Sequence, residues 1–308
     1  MKKKITKESL IESLIDLGIK KGDILFLSAD LMRIGYFNKN IDTTLKDWVE
    51  ILQSVVGKDG TLIIPSNTTC FSRFKKSKDI VFTPDSAPNS GSLSTAFYLY
   101  ADVIRSTHPT NSCFGIGPKA EFILDGHDEK SLSYSIYGKI IELGGKNLML
   151  GTVEDNRNSP MPFHFCQEVL GHTRSHPLAN LQQTYFINSK NNKTLFTRKD
   201  VGGCTGGAIN TFGEHIAQKA IKFGPIGKSL SALVDTKKSS VVLMKIFNER
   251  PYLIKCNNKD CLSCYGRYIY NGFGVIKFYS KHIPQLVCKI LTIMKRKVFI
   301  IIKKNKKT

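Results

Sequence analysis

Three histidines and a glutamate recur every four residues in SPMPFHFCQEVLGHTRSH (159–176): His164, Glu168, His172 and His176. A histidine titrates near neutrality, so it can serve as a general base or, unprotonated, as a metal ligand. On a helix each step of four turns the side chain on by about 40°, so four ligands would spread over roughly 120°. Gly171 is a helix stop, and Pro177 bars continuation past His176. What survives is one helical turn presenting His164, with Gln167 and Glu168 beneath it. The metal reading loses its third and fourth ligands.

A second constellation is LIKCNNKDCLSCYGR, which spaces Cys256, Cys261 and Cys264 as C-x4-C-x2-C. The C-x2-C pair suits a zinc knuckle. Cys204 in GGCTGG is a candidate fourth ligand, because its glycines allow a tight thiolate turn. Two readings stand: a structural zinc with every position filled by protein, or ordinary thiols in loops. The chain is neither small nor evidently secreted, so its eight cysteines read as reduced rather than as disulfides.

Parallel crossover units must position these groups. Leu10, Ile11, Leu14, Ile15 and Leu17 mark a helix over 6–17, with Thr6 as cap and Gly18 as stop. A buried strand follows near 24–28, a helix over 43–57 and a strand at TLIIPS, the order of a strand–helix–strand unit. A helix recurs at 91–102, a helix and strand at 134–152, and a helix covers 163–170. TYFINSKNNKTLFTRKD (184–200) reads as a hairpin turning at Asn191–Asn192. Beyond it the pattern predicts helices near 211–222 and 227–234, then strands near 240–246 and 251–255. The fold class is α/β: a central, mostly parallel sheet flanked by helices, with an antiparallel excursion. One domain is expected over 1–268, with residues 269–308 as a tail.

The 308 residues, 41% of them hydrophobic, can bury a real core. The net charge of +20 is uneven, with eleven Lys and Arg and no acid from Tyr265 onward. No nucleic-acid motif accompanies it, so no nucleic-acid partner is expected. The tail mixes lysines with bulky apolar residues, which leaves two readings: a helix lying on an anionic membrane surface, or a frayed tail packed partly on the body. Glu12 and Asp16 interrupt the N-terminal apolar pattern, and no apolar run nears the roughly 20 residues of a membrane-spanning helix. A cytoplasmic, at most membrane-peripheral, protein is expected.

Five segments in order resemble the aminoglycoside 3-N-acetyltransferase family: GDILFLSADL (22–31), VGKDGTLIIPS (56–66), RSTHPTNSCFGIGPKA (105–120), YGKIIELGGKNLMLG (137–151) and FHFCQEVLG (163–171). The most specific is RSTHPTNSCFGIGP. The resemblance implies acetyl-CoA bound in a cleft and direct transfer of its acetyl group to an amine of an amino sugar. It implies His164 as the catalytic base. The family often carries an acid three residues on; here that residue is Gln167 and Glu168 follows, so Glu168 and Asp200 are the candidate carboxylate partners. Ser28, Ala29 and Asp30 would meet the CoA arm and thioester. Arg105 would pair with a CoA phosphate, the backbone near Ser106 would cradle one, and His108 would line the cleft or fix its loop.

Amide formation from a thioester needs a neutral amine, which a base near neutrality supplies. Two acceptor classes fit: an aminoglycoside antibiotic, or a nucleotide- or lipid-linked amino sugar of surface polysaccharide. A polycationic antibiotic wants a strongly acidic cleft, whereas the stretch EDNRNSPMP (154–162) offers only Glu154 and Asp155. A non-catalytic protein binding CoA or sugar is a further reading.

Overall fold

The computed structural model describes residues 5–35, 37–38, 40–70, 79–154, 158–175 and 179–284. The strands are β1 (Ile24–Ala29), β2 (Thr61–Pro65), β3 (Val81–Phe82), β4 (Ile104–Arg105), β5 (Cys113–Ile116), β6 (Lys146–Leu150), β7 (Gln183–Ile187), β8 (Lys193–Thr197), β9 (Ile221–Ile226) and β10 (Ser229–Asp235). The helices are α1 (Lys7–Leu17), α2 (Leu31–Ile34), α3 (Ile41–Val56), α4 (Ser92–Tyr100), α5 (Ala120–Leu124), α6 (Ser135–Glu142), α7 (Pro162–Val169), α8 (Phe212–Ala217), α9 (Thr236–Glu249), α10 (Leu262–Tyr265) and α11 (Tyr268–Asn271).

The central sheet has the order β4-β5-β2-β1-β6-β10-β9. Its middle strands β2, β1 and β6 are parallel, and the strands outside them add on in antiparallel fashion. The β7–β8 hairpin forms with β3 a separate three-stranded sheet, turning through Asn191 at φ 58. Apolar side chains of α1, α3 and α4 pack with the sheet in one core, and those of α5 and α6 form a second. From β1 the chain pairs with β2 on one side and β6 on the other. This divergence opens a crevice at the strands' C-terminal ends, where open α/β sheets bind ligands.

The sequence reading errs from residue 221: the helix expected to reach 222 ends at Ala217, and 221–226 form strand β9. Residues 229–235 form strand β10 rather than a helix, because Ser229, Ser231 and Ala232 turn inward against β6 and β9. Residues 236–249 form helix α9 rather than a strand. Asp235 caps it by accepting from the Lys238 N–H, and Val242, Leu243, Ile246 and Phe247 are buried at helical spacing. The β-branched run at 241–242 favoured a strand locally, but packing decided otherwise. Residues 251–254 form a short 3-10 turn rather than a strand.

The boundary expected at residue 268 falls inside a packed region. Tyr270 is buried in one cluster with Phe163, Leu243 and Ile254, and Phe278 is buried as well. The chain is helical over 274–284; the basic tail beyond lies outside the described residues. No helix among the described residues is long and apolar enough to cross a membrane.

Candidate active site

A cavity of about 340 Å³ opens over the C-terminal ends of β1 and β2, and His164, Tyr134 and Arg198 reach into it with Ser28, Asn111 and Met161. A smaller hollow of about 150 Å³ adjoins it, sharing Ser28, Pro65 and Asn158 and extending past Ala29 to Ser90 and Leu93.

Asn147 of β6 fixes the helix that carries His164. Its Nδ2 donates to the Phe26 carbonyl at 3.0 Å and to Ser28 Oγ at 3.3 Å, and its Oδ1 accepts the Met161 N–H at 2.9 Å. One buried amide thus ties β6, β1 and the start of α7 together. Pro162, at the first turn of α7, needs no hydrogen bond there. The helix stops at Val169, and Gly171 follows at φ +72. His172 turns into the core, edge-on to Phe247 and Tyr270. It shares no site with His164, and His176 lies outside the described residues.

The imidazole of His164 lies between Tyr134, stacked at 5.0 Å, and the edge of Phe163. Its Nδ1 is 2.9 Å from Gln167 Oε1, which also accepts the Gly203 N–H at 3.1 Å. The backbone N–H can only donate, so Oε1 is the acceptor and His164 carries its proton on Nδ1. Nε2 keeps its lone pair and is the basic atom of a side chain that lines the cavity. Gln167 Nε2 donates to Tyr270 Oη at 2.9 Å, and Tyr270 Oη lies 3.2 Å from His172 Nδ1. Burial holds the His164 pKa below its usual value; the Gln167 bond opposes this and the Arg198 cation adds to it. The ring is therefore neutral at pH 7.

The carboxylates expected to hold this imidazole hold its surroundings instead. Glu168 Oε2 accepts the Tyr134 N–H at 2.8 Å, and Asp200 accepts both the N–H and the hydroxyl of Ser133, at 3.0 and 2.9 Å. Positions 167 and 168 lie about 60° and about 40° to either side of His164 around the axis, so helical geometry admits both; the partners decide, since the Tyr134 N–H takes Glu168 while the Gly203 N–H and Tyr270 hold Gln167 beside Nδ1. Burial and the neighbouring Asp200 push the Glu168 pKa up to about 8, although the Tyr134 N–H opposes this. The two acids thus set the Ser133–Tyr134 backbone, and Tyr134 backs His164. Arg198 completes the wall: Nη2 donates to Tyr134 Oη, Nε to Ser133 Oγ and Nη1 to Gln182 Oε1.

Of the residues expected at CoA, Ser28 lines both hollows and Ala29 the smaller one. Asp30 caps α2, accepting the Met32 and Arg33 N–H groups, and pairs with Arg33 at 3.3 Å. Arg105 does not meet the expectation of a phosphate ligand. Its guanidinium donates to the carbonyls of Ser66, Pro84 and Ser86 and to the hydroxyls of Ser66 and Ser112, between the rings of Phe82 and Phe114. Each of its three nitrogens donates to the fold. Ser106 is buried, and its hydroxyl accepts the Cys113 N–H and meets His127 Nδ1. His108, fully buried, fixes its own loop: Nδ1 accepts the N–H groups of Thr110 and Asn111.

The Sγ atoms of Cys204, Cys256, Cys261 and Cys264 all lie within 4.8 Å of one another. Sequence reasoning had singled out these four, but it missed Tyr134, Arg198, Asn147 and Tyr270. Only Asn147 left a signal, as the one amide inside the apolar run of β6.

The family model for aminoglycoside 3-N-acetyltransferase matches residues 26–248. Aminoglycoside N(3)-acetyltransferase IX of Micromonospora chalcea is 26% identical over 203 residues, which are 60% of this chain and 69% of that enzyme. Type III relatives are matched over 60% of their own length. Among solved structures, the apoenzyme of the aminoglycoside acetyltransferase AAC(3)-IVa superimposes with a TM-score of 0.67 at 20% identity, covering 88% of this chain and 99% of that one. AAC-IIIb in binary complex with CoASH gives 0.64 at 19% identity, covering 80% and 97%.

Proposed function

The chain belongs to the aminoglycoside 3-N-acetyltransferase family, and from that premise we propose that it transfers the acetyl group of acetyl-CoA to an amine of an amino sugar, with His164 as general base. Both substrates sit together in the crevice. Nε2 of the neutral imidazole takes the proton that the attacking neutral amine loses, and Gln167 keeps the other nitrogen protonated and the ring aimed. The proton passes from substrate nitrogen to His164 as the C–N bond forms. The C–S bond then breaks, and the CoA thiolate leaves. No covalent enzyme intermediate is needed.

The pantetheine arm fits the hollow beside Ser28, Ala29 and Leu93. The first turn of α4 there carries no side-chain cap, so its N–H groups are available to a CoA phosphate. Zinc at the four cysteines, with all positions taken by thiolates, would have no part in the transfer itself.

The charge of the cavity carries the choice of acceptor. Among the described residues, Arg198 is the only lining residue with a fixed charge and no carboxylate lines the wall; Asp155, three residues before the lining Asn158, lies outside them. A polycationic aminoglycoside would meet repulsion there, whereas an amino sugar bearing phosphate or carboxylate would be attracted. We therefore favour an anionic, nucleotide- or lipid-linked amino sugar over an aminoglycoside. The relatives' names favour the antibiotic, which is the second reading. The exposed Tyr268, Phe273 and Ile276 adjoin the basic tail and would suit a peripheral contact with an anionic membrane.

The test is release of free CoA thiol from acetyl-CoA against nucleotide-linked amino sugars, simple amino sugars and aminoglycosides. Turnover with an anionic acceptor, reduced about 10²-fold or more in His164→Ala with CoA affinity kept, is the expected result. Preference for aminoglycosides would reverse the acceptor assignment. No release with any amine, together with no CoA binding, would sink the enzyme reading for this chain.

A further inference from the structure

The four cysteines come from two separated stretches of chain. Cys204 lies in the loop after Asp200, and its Sγ accepts the Gly206 N–H at 3.2 Å. Cys256, Cys261 and Cys264 belong to the segment around α10. There Cys261 caps the helix, its carbonyl accepts the Cys264 and Tyr265 N–H groups, and Cys264 Sγ accepts the Cys256 N–H at 3.5 Å. These are knuckle features, with backbone N–H groups turned toward sulfur. Tetrahedral zinc with Zn–S bonds of about 2.3 Å places its sulfurs about 3.8 Å apart, so a set already within 4.8 Å needs only a small contraction.

An independent observation concerns charge. Arg267 is 3% exposed, yet among the described residues its Nε and Nη1 have no hydrogen-bond partner. Nη2 alone is engaged, donating to Ser175 Oγ at 2.8 Å, and the guanidinium lies over the Tyr270 ring. No carboxylate is paired with it among the described residues. A buried cation left this way is costly unless negative charge lies close by. Zinc held by four thiolates carries a net negative charge, and Cys264 is near enough to act on Arg267 electrostatically.

The cluster also adjoins the catalytic helix. Cys204 follows Gly203, whose N–H meets Gln167 Oε1, and the cysteine-bearing segment leads through Arg267 to Tyr270, whose hydroxyl meets Gln167 Nε2. Both outer contacts of Gln167 therefore come from chain that the four cysteines would join. Gly207 packs so closely on Ile254 that a Cβ would fall 2.1 Å from its carbonyl oxygen, which presses the same loop against the same segment.

We propose that Cys204, Cys256, Cys261 and Cys264 bind one zinc ion, and that this ion clamps the 202–206 loop to the 251–271 segment so that Gln167 holds His164 in its working orientation. The second clause rests on the reading of His164 as base; the first does not. The cysteines are positioning residues, and the zinc is structural.

The test uses the full chain expressed with zinc and purified without chelator. Zinc is measured by plasma mass spectrometry, and the ring nitrogens of His164 by NMR. Wild type should carry about one zinc per chain, and Cys261→Ser/Cys264→Ser less than about a tenth. Cys204→Ser should lower kcat by about tenfold or more with the KM for acetyl-CoA within about twofold, and should broaden or lose the His164 Nδ1–H signal. Cys204→His, which offers a Cys3His site, should restore zinc and the signal. Wild type with less than about a tenth of an equivalent of zinc, or with these cysteines in disulfides, overturns the site. Zinc present, but Cys204→Ser leaving the His164 signal and its titration unchanged, overturns the clamp. Zinc content and the NMR signal are read without any acceptor, so a failure of the proposed reaction leaves both outcomes legible.

Discussion

The Nδ1 of His164 lies 2.9 Å from Oε1 of Gln167, one helical turn further along α7. A neutral amide, not a carboxylate, therefore orients the imidazole proposed as the base. An amide fixes the tautomer as a carboxylate would, but it offers no negative charge to an imidazolium forming in the transition state. This difference sets the first expectation. Gln167→Glu should raise the His164 pKa, moving the acid limb of the pH–rate profile up by about one unit, and should raise kcat at its plateau. Gln167→Leu should lower kcat, since nothing would then hold the ring. A Gln167→Glu profile superimposable on wild type would show that this contact does not tune the base.

The pH dependence of the wild type follows from the same ring. The reactive form is the neutral imidazole, and burial holds its pKa below the usual value of about 6.5. Activity should persist below that value and fail only as pH drops through the lowered pKa. An acid limb centred at or above pH 6.5 in kcat/KM would assign the titration to another group.

Gly202 passes so close to the site that a Cβ would sit 2.6 Å from both His164 Nδ1 and Tyr134 Oη. Gly202→Ala must move one ring or the other. We expect a loss in kcat of about tenfold or more with near-normal unfolding temperature. Unchanged kinetics would mean that the loop yields without disturbing the base.

Arg105→Met separates fold from ligand binding. The substitution leaves the carbonyls of Ser66, Pro84 and Ser86 without their donor, and should cost on the order of 3 kcal/mol in chemical denaturation. CoA affinity of the folded fraction should stay within about twofold. A large loss of CoA affinity without destabilisation would return Arg105 to the phosphate site.

Stability should fall in acid for a reason distinct from catalysis. His127, 2% exposed, has its pKa lowered by burial from 6.5 to about 4, and burial also lowers His172 to about 4. The unfolded chain binds these protons first, so stability is lost as pH falls from about 6.5 to about 4, by about 3 kcal/mol for His127 alone. Glu168 acts in the opposite sense. Its pKa is raised to about 8, so its contribution is present at low pH and lost as pH rises through that value. Urea midpoints should therefore peak between these limits, and His127→Gln should flatten the acid side. A midpoint that held steady from pH 7 to pH 4 would contradict the buried neutral histidines.

By itself the sequence determined the parallel units around β1 and β2, the helix that presents His164, its stop at Gly171 and the cysteine quartet. Each is written in local spacing, through helical periodicity, turn residues or the short C-x2-C step. It also carried the resemblance that singled out His164. What it could not decide is what each side chain touches. Arg105 reads as a ligand for phosphate until Ser66, Ser112 and the loop at 83–86 are seen to engage each of its nitrogens. Glu168 and Asp200 read as partners of the base until Tyr134 and Ser133 are seen to occupy them. The α9 helix, strand-like in its valines, is settled by burial against α7. Tyr270, about a hundred residues from Gln167, meets it because the chain beyond 250 folds back onto the site. Such contacts depend on long-range packing, where loop closure and burial outweigh local preference. For that reason the sequence singled out His164 as the candidate base, and only the tertiary structure showed which groups hold it.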